Sequence, residues 1–440
     1  MRFIADFHIH SKYSRATSPQ MDLEHLDKAA KIKGVQVIST GDFTHPAWFK
    51  ELQDKLRPAE PGLFKLKSGI IISHPEPASE GSQENETLRL RPQGDGVTRF
   101  ILTTEISCIY SKNGRVRKAH ILIFAPDFAT VEKINNQLSA IGNLKADGRP
   151  ILGLDAKELA KIAWQANPDC LVVPAHCWTP WFAVFGSKSG FDSLEECFEE
   201  QTKNIFAVET GISSDPAMNW RLSDLDKVAL ISCSDAHSAP RIGREACVFD
   251  TDLSYVAIIE AIKSKNPKKF LFTIEFFPEE GRYHYDGHRA CGVRLSPAQT
   301  KKYRGLCPAC HRPLTVGVLS RVEELADRPE GFAPKGRIPY KSLVPLSEVV
   351  AACLGVGPTS KRVIRVYDNL IEKLGPELGI LLDVSIGEIK AVEPSLAQAI
   401  SRMRQGKIQV EPGYDGVYGK VEIFPDKNKK SFTVSQQLLF

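Results

Sequence analysis

A chain of 440 residues exceeds one ordinary hydrophobic core and points to two or three domains, while 42% hydrophobic and 25% charged residues exclude a fibrous or wholly disordered protein. The net charge of +4 is too small to predict an anionic partner by itself, although one domain can still present a basic face. No apolar run approaches the length of a membrane span, and the start lacks a basic stretch followed by an apolar one, so a cytoplasmic chain is expected.

From residue 1 to about 275, short β-rich apolar runs alternate with amphipathic segments, the pattern of an α/β protein. Strands are predicted at Phe3–His8, Val35–Thr40, Arg99–Glu105, His120–Phe124, Cys170–Pro174, Ile205–Glu209 and Val228–Ser232, with helices at Leu23–Lys33 and Leu154–Gln165 between them. Strand–helix–strand repeated this often closes most easily as a parallel barrel, which puts chemistry at the carboxyl ends of its strands. The barrel is assigned to residues 1–278, interrupted at 73–98 by a polar stretch rich in Glu, Ser, Pro and Gly that reads as a surface insertion. A compact Cys/His segment follows at 279–320 and a helical region at 321–425, with apolar residues three and four apart between Pro345 and Arg404. Residues 426–440 form a tail, basic at Lys427-Asn-Lys-Lys and apolar at its end.

Nearly every predicted strand ends at a residue that can bind a metal. His8 and His10 close the first, and alternate residues of an extended chain face one way, so both can point at one ion. Asp42 follows the second strand, Glu105 ends the third, His120 opens the fourth, His176 follows the fifth, and Asp235 and His237 follow the seventh. A lone strand histidine is usually a hydrogen-bonded structural residue. A whole set is different, because an apolar barrel mouth does not tolerate so many ionisable groups without a counter-ion. Mixed imidazole and carboxylate ligands suit Zn²⁺, Mn²⁺ or Fe²⁺ better than Ca²⁺. Two such ions can acidify a shared water, clamp a phosphate and stabilise its leaving oxygen, and the sequence contains no serine-nucleophile signature to compete with that chemistry.

A second constellation is His288-Arg-Ala-Cys291 followed by Cys307-Pro-Ala-Cys310, two halves in matching register that predict a closed, structural zinc site. His284 and His311 compete with His288 for the place of the non-cysteine ligand, and a disulfide is the alternative pairing. Six other cysteines (Cys108, Cys170, Cys177, Cys197, Cys233, Cys247) sit in apolar runs and read as buried thiols. Gly355-Val-Gly357-Pro-Thr-Ser-Lys361-Arg362 separates two helical patterns. It is either a turn that offers backbone N–H groups and positive charge to a DNA phosphate or an ordinary helix cap. Aromatic residues crowd the loops near the metal motifs at Trp48, Phe49, Trp178, Trp181 and Phe182, where they either stack on an exposed base or pack the barrel top.

These motifs carry resemblances. Asp6-Phe-His8-Ile-His10-Ser-Lys-Tyr-Ser14, Thr40-Gly-Asp42, Glu105, His120, His176 and Asp235-Ala-His237 resemble the successive motifs of the polymerase and histidinol phosphatase (PHP) superfamily. That resemblance implies a distorted seven-stranded barrel with two or three divalent ions (Zn²⁺, Mn²⁺ or Mg²⁺). His8, His10, Glu105 and Asp235 would hold one ion, and Glu105 would bridge to a second completed by His120 and His176. His237 would serve a third, with Asp42 or His45 substituting for a missing histidine and Arg15 and Ala16 standing near the place of another. Over nearly its whole length the chain resembles the endonuclease Q family, through Phe7-His8-Ile-His10-Ser-Lys-Tyr-Ser14-Arg15, Ser39-Thr-Gly-Asp42-Phe, Tyr283-His-Tyr-Asp-Gly-His288 and Gly413-Tyr-Asp-Gly-Val-Tyr-Gly419. The resemblance implies a DNA repair endonuclease, acting near the nucleoid, that cuts 5′ to deaminated bases (hypoxanthine, uracil, xanthine) and abasic sites. His8, His10, Glu105 and Asp235 would be its catalytic residues. The turn at Gly355, Gly357, Lys361 and Arg362 resembles a helix-hairpin-helix, and Gln436, Leu438, Leu439 and Phe440 resemble a sliding-clamp docking peptide. A small-molecule phosphatase of the histidinol-phosphate type and a non-catalytic DNA-binding scaffold are the rival readings.

Overall fold

The computed structural model describes residues 1–67 and 96–424. Most of the polar stretch at 73–98 and the whole 426–440 tail, including Gln436, Leu438, Leu439 and Phe440, lie outside the described residues.

Strands β1 (Arg2–Asp6), β2 (Val37–Ser39), β3 (Arg99–Lys112), β4 (Arg115–Ala125), β5 (Leu171–Pro174), β6 (Ala207–Glu209) and β7 (Ala229–Ile231) follow one another round a distorted barrel. β1 pairs with β2 and β2 with β3 in parallel, and so does β6 with β7. A parallel bridge between Ile9 and Ala236 brings the seventh strand back to the first. The barrel is not wholly parallel, because β4 runs antiparallel to both β3 and β5. The cause is local: Asn113 and Gly114, both at positive φ, form the tight turn that favours a hairpin. β3 therefore continues past its predicted end, and Glu105 lies in mid-strand, opposite Leu122.

Three further strands extend the sheet from β1: β8 (Ala246–Asp250), β9 (Phe270–Glu275) and β10 (Tyr340–Ser342). β10 belongs to the barrel's sheet although the sequence pattern places residues 321–425 in one helical domain. The helical run itself begins at Leu346 and ends at Arg404. It is fastened to the barrel by Glu377, buried beneath it. The Glu377 carboxylate accepts from Lys33 Nζ at 2.5 Å, Tyr367 Oη at 2.6 Å and the Leu346 N–H at 3.1 Å. A charge removed from water needs several partners of this kind.

The outer helices bury one face each. Leu23–Lys33 turns Leu23, Leu26 and Ala30 inward, starts on the Asp22 side chain and ends at Gly34 in the left-handed conformation. The barrel's closed end is filled by Phe3, Phe7, Phe124, Phe249 and Leu171, with Phe7 and Phe124 packed edge to face at 5.4 Å. That apolar plug leaves the polar chemistry to the opposite mouth. Phe124→Ala is expected to destabilise the protein by about 3–5 kcal/mol, measured as the shift in chemical unfolding, and a change below about 1 kcal/mol would contradict the role given to this layer.

Candidate active site

The loop after β1 carries His8 and His10 into the barrel mouth, where both are fully buried. Asp235 meets them from the loop after β7. Its backbone is held there by Asp6, whose carboxylate accepts the Ser234 N–H at 3.0 Å and the Gly243 N–H at 2.9 Å. His8 Nε2 lies 3.6 Å and His10 Nε2 3.2 Å from Asp235 Oδ1. These separations approach the edge of about 3.4 Å expected for a tetrahedron of ligands at metal–nitrogen and metal–oxygen distances. Glu105 Oε2 stands 3.7 Å from His8 Nε2 and 3.3 Å from His10 Nε2.

The other oxygen of Glu105 faces a second group. Oε1 lies 2.7 Å from His120 Nδ1 and 3.0 Å from His176 Nε2, and those two nitrogens are 3.1 Å apart. One carboxylate thus joins two clusters, His8/His10/Asp235 and Glu105/His120/His176, each with its ligand atoms within 4.8 Å of one another. Three of those atoms decide whether ions fit. His8 Nε2, His10 Nε2 and Asp235 Oδ1 are buried and have no hydrogen-bond partner among the described residues. A buried polar atom left unsatisfied costs about 1–3 kcal/mol. Three converging on one point form a site a divalent cation would complete, and Glu105, His120 and His176 supply the donor set for a second ion.

The electrostatics agree. Burial disfavours the charged form of His8, but the Glu209, Asp235 and Glu105 carboxylates more than offset it and hold its pKa well above 6.5. Burial likewise opposes charge on His10, and Asp42, Asp235 and Glu105 raise it well above 6.5. Burial would raise Asp235, yet His8 and His10 keep it below the ordinary carboxylate range. Glu105 is driven the same way by His120, Arg149 and His8 against its own burial. Backbone strain concentrates here too: Asp42, His176 and Asp235 have φ of 49°, 29° and 46°, values that side-chain-bearing residues seldom adopt.

Around the ligands stands a ring of acceptors. Glu209 grips His8 Nδ1 with both oxygens, at 3.0 and 3.1 Å, and accepts the His176 N–H at 2.6 Å. This fixes the tautomer that leaves Nε2 free to coordinate. Glu209 is not among the site residues expected from sequence, although it ends a predicted strand as they do. Asp42, expected as a ligand, instead supports His10. Its Oδ1 is 3.1 Å from His10 Nδ1, and its Oδ2 accepts from the Ser11 N–H, Ser11 Oγ and Ser14 Oγ at 2.6, 2.7 and 2.9 Å. With its oxygens turned to His10, Ser11 and Ser14, it lies outside both clusters. His237 also stays outside both clusters: its Nδ1 is 2.8 Å from Thr17 Oγ1, and its ring stacks on His10 at 4.4 Å. His45 serves as a helix cap, its Nδ1 accepting from the Trp48 N–H.

Beside the clusters opens a cavity of about 310 Å³. His176 and Asp235 form one wall, Trp181 another, and Arg282, Tyr283, His284 and Tyr418 complete it. Arg282 reaches the faces of Tyr283 and Tyr418, at 5.8 and 5.5 Å, and Trp181 meets Tyr283 edge-on at 5.9 Å. The Tyr283–His288 and Gly413–Gly419 motifs, 130 residues apart in the chain, are brought together by Tyr285 N–H to Gly413 O at 2.9 Å and by Arg289 N–H to Asp415 at 2.6 Å. Of the aromatics expected at the rim, Trp181 is exposed, whereas Trp48 and Trp178 are fully buried packing residues.

His288, Cys291, Cys307 and Cys310 converge as the register predicts, with His288 Nδ1 3.3 Å from Cys310 Sγ. His284 turns to the cavity instead, and all ten cysteines are free thiols, the six in apolar runs buried. Burial would raise the Cys307 thiol, but backbone N–H groups of Cys310 and Ala309 bring it down to about 7, as a metal ligand requires. Gly355 caps the helix Leu346–Leu354 in the left-handed conformation, and Ser360 opens the helix Lys361–Leu374. Gly355, Gly357, Lys361 and Arg362 are exposed on the resulting hairpin.

Such a barrel, with histidine–carboxylate clusters sharing one glutamate at its mouth, defines a metal-dependent hydrolase. Residues 345–407 match the family model described as the MJ0043 C-terminal domain. The chain is 34% identical over 260 residues to the uncharacterized protein MJ0043 of Methanocaldococcus jannaschii, an alignment of 57% of this chain that spans about a third (32%) of that relative. The crystal structure of the lesion-specific endonuclease PfuEndoQ from Pyrococcus furiosus superposes with a TM-score of 0.81 at 30% identity, over 97% of this chain and 98% of the other. A structure of endonuclease Q with a 27-mer duplex substrate bearing an abasic lesion at the active site matches with a TM-score of 0.79 at 30% identity, over 98% and 99%. The chain belongs to the endonuclease Q family. Among the described residues no helix is long and apolar enough to cross a membrane.

An ion must displace protons held on His8 and His10, so its affinity should rise with pH above 6.5, up to tenfold per unit for each proton released. The ion-free protein should behave oppositely. Imidazoles raised by folding stabilise it fully below 6.5 and cease to do so as pH climbs through their elevated values, leaving carboxylates facing one another. Calorimetric metal titrations and unfolding midpoints from pH 6 to 9 check both, and flat profiles would refute the assignment.

Proposed function

We propose that this chain is a DNA repair endonuclease that hydrolyses the phosphodiester 5′ to deaminated bases (hypoxanthine, uracil, xanthine) and abasic sites. The observation that carries the reading is Glu105: its two oxygens serve two ligand clusters in one buried mouth, with three coordinating atoms left without partners. Likeness to endonuclease Q over nearly the whole chain, including the structure with abasic DNA, supports the substrate class.

Divalent ions, when bound, supply Lewis acidity and a water acidic enough to attack phosphorus at neutral pH. The chain's own residues prepare that chemistry. Glu209 and Asp42 hold His8 and His10 in the tautomers that face inward, and Asp6 steadies the loop that presents Asp235. The cavity beside the clusters is of a size to receive a nucleobase turned out of the helix, since a stacked base hides the edge to be read. Trp181, Tyr283 and Tyr418 offer ring faces, with Arg282 between the two tyrosines to meet the phosphate backbone. The exposed turn at Gly355–Arg362 suits further binding to phosphates, and His288, Cys291, Cys307 and Cys310 would hold a structural Zn²⁺ that would stiffen the segment carrying Tyr283. A small-molecule phosphatase of the histidinol-phosphate type would gain little from the Cys/His segment and the helical run.

Asp235→Asn should abolish nicking of a duplex containing one hypoxanthine while leaving the circular dichroism spectrum unchanged, because it removes a charge and a ligand from the first cluster. Cutting at the wild-type rate would end the assignment, as would release of phosphate from free monoesters without nicking. Replacing Lys361 and Arg362 together by Ala should weaken DNA binding and flatten the dependence of log K on log salt by about 0.9 for each phosphate that the hairpin no longer neutralises. An unchanged slope would show that the hairpin does not touch the backbone.

A further inference from the structure

Glu105 has one more neighbour, and it is a cation. Arg149 Nη1 donates to Glu105 Oε2 at 3.0 Å, the oxygen that also faces His8 and His10. The loop that carries this arginine is closely specified. Gly148 lies so near Asp42 and Ser14 that any Cβ would collide with Asp42 Oδ2 and Ser14 Oγ, and its N–H donates to Tyr13 O at 3.0 Å. Asp147 Oδ1 accepts the backbone N–H groups of Arg149 and Arg15, at 3.1 and 3.2 Å, while its Oδ2 holds the Arg15 guanidinium at 3.2 Å. Beyond Glu105, the Arg149 side chain makes no other hydrogen bond among the described residues, and it is 28% exposed.

This is the corner in which a third ion was expected, and the residues present do not fit one. Asp42 turns its oxygens to His10, Ser11 and Ser14, His237 is held through Nδ1 by Thr17 and stacked on His10, and Arg15 brings a positive charge instead of a ligand. We infer that the barrel holds two ions rather than three, and that the Arg149 guanidinium takes the third's place by gripping a non-bridging oxygen of the scissile phosphate. The inference rests on the phosphodiester reading above. A planar fork of N–H donors matches a phosphate face better than a point charge does. Charge that builds on those oxygens during in-line displacement is stabilised most by a cation already in position. Glu105 supplies that position, and Arg15 on the same Asp147 offers a second cation further along the backbone.

The test compares wild-type protein with Arg149→Met and Arg149→Lys. Mn²⁺ titration followed by electron paramagnetic resonance should count two barrel ions per chain in all three, and a third tightly held ion in the wild type would overturn the inference. Arg149→Met should cut the nicking kcat about 100-fold with KM within threefold, and Arg149→Lys should recover part of the loss. Arg149→Met turning over within threefold of wild type would equally overturn it. If the two-ion wild type leaves every lesion-bearing duplex intact, the substrate assignment fails, and the same variants are compared on bis(4-nitrophenyl) phosphate. There a 100-fold difference upholds the role of Arg149 and its absence refutes it.

Discussion

A carboxylate buried in the throat of a barrel, with imidazoles set against both of its oxygens, is a charge that must be shared. Glu105 is 1% exposed, so water cannot screen it. The residues round it arrange themselves in two layers that follow from this. The inner layer of His8, His10, His120, His176 and Asp235 turns its lone pairs inward. An outer layer of Glu209, Asp42 and Asp6 takes up the N–H groups on the far side. Three of the inner atoms, His8 Nε2, His10 Nε2 and Asp235 Oδ1, have no hydrogen-bond partner among the described residues, and the facing carboxylates favour protons on His8 and His10. The left-handed backbone at Asp42, His176 and Asp235 is a conformational cost borne to aim these groups. The surrounding hydrogen bonds hold that geometry in place.

The appended parts of the chain complete the mouth. Tyr283 and His284 come from the Cys/His segment and Tyr418 from the hairpin near the end of the described residues, yet they line one cavity with His176 and Asp235. Asp415 joins these parts by accepting from Arg289 and Thr315. The helical run is held to the barrel elsewhere, through the buried Glu377. This division places a rigid reaction centre on strand ends and leaves its access surface to segments that can differ between relatives.

Much of the site was legible because ligand residues follow strands, and strands announce themselves by apolar alternation. His8, His10, His120, His176 and Asp235 stand out that way, as does the register of His288 with the three cysteines. Asp42 shows where such reading ends: position at a strand end cannot distinguish a ligand from the residue that holds a ligand, because the difference lies in which neighbours occupy its oxygens. Glu209 escapes notice for the same reason, although it stands at an equivalent place. Arg149 carries no periodic signal at all; it sits in a loop, and the packing of Gly148 on Asp42 and Ser14, with the hydrogen bonds of Asp147, brings it to Glu105.

Residue order alone was enough to say that an α/β barrel would present histidines and acids at one end, that one histidine and three cysteines would converge, and that two glycines would break a helical run. These are local matters, written in spacing and side-chain type. Folding in three dimensions settled that one strand is reversed, that Glu105 bridges two clusters, that Asp42 and Glu209 are supports, and that distant motifs share a cavity. Such facts depend on the meeting of residues far apart in the chain, whose interaction energies arise only when the barrel closes and excludes water from the charges it encloses.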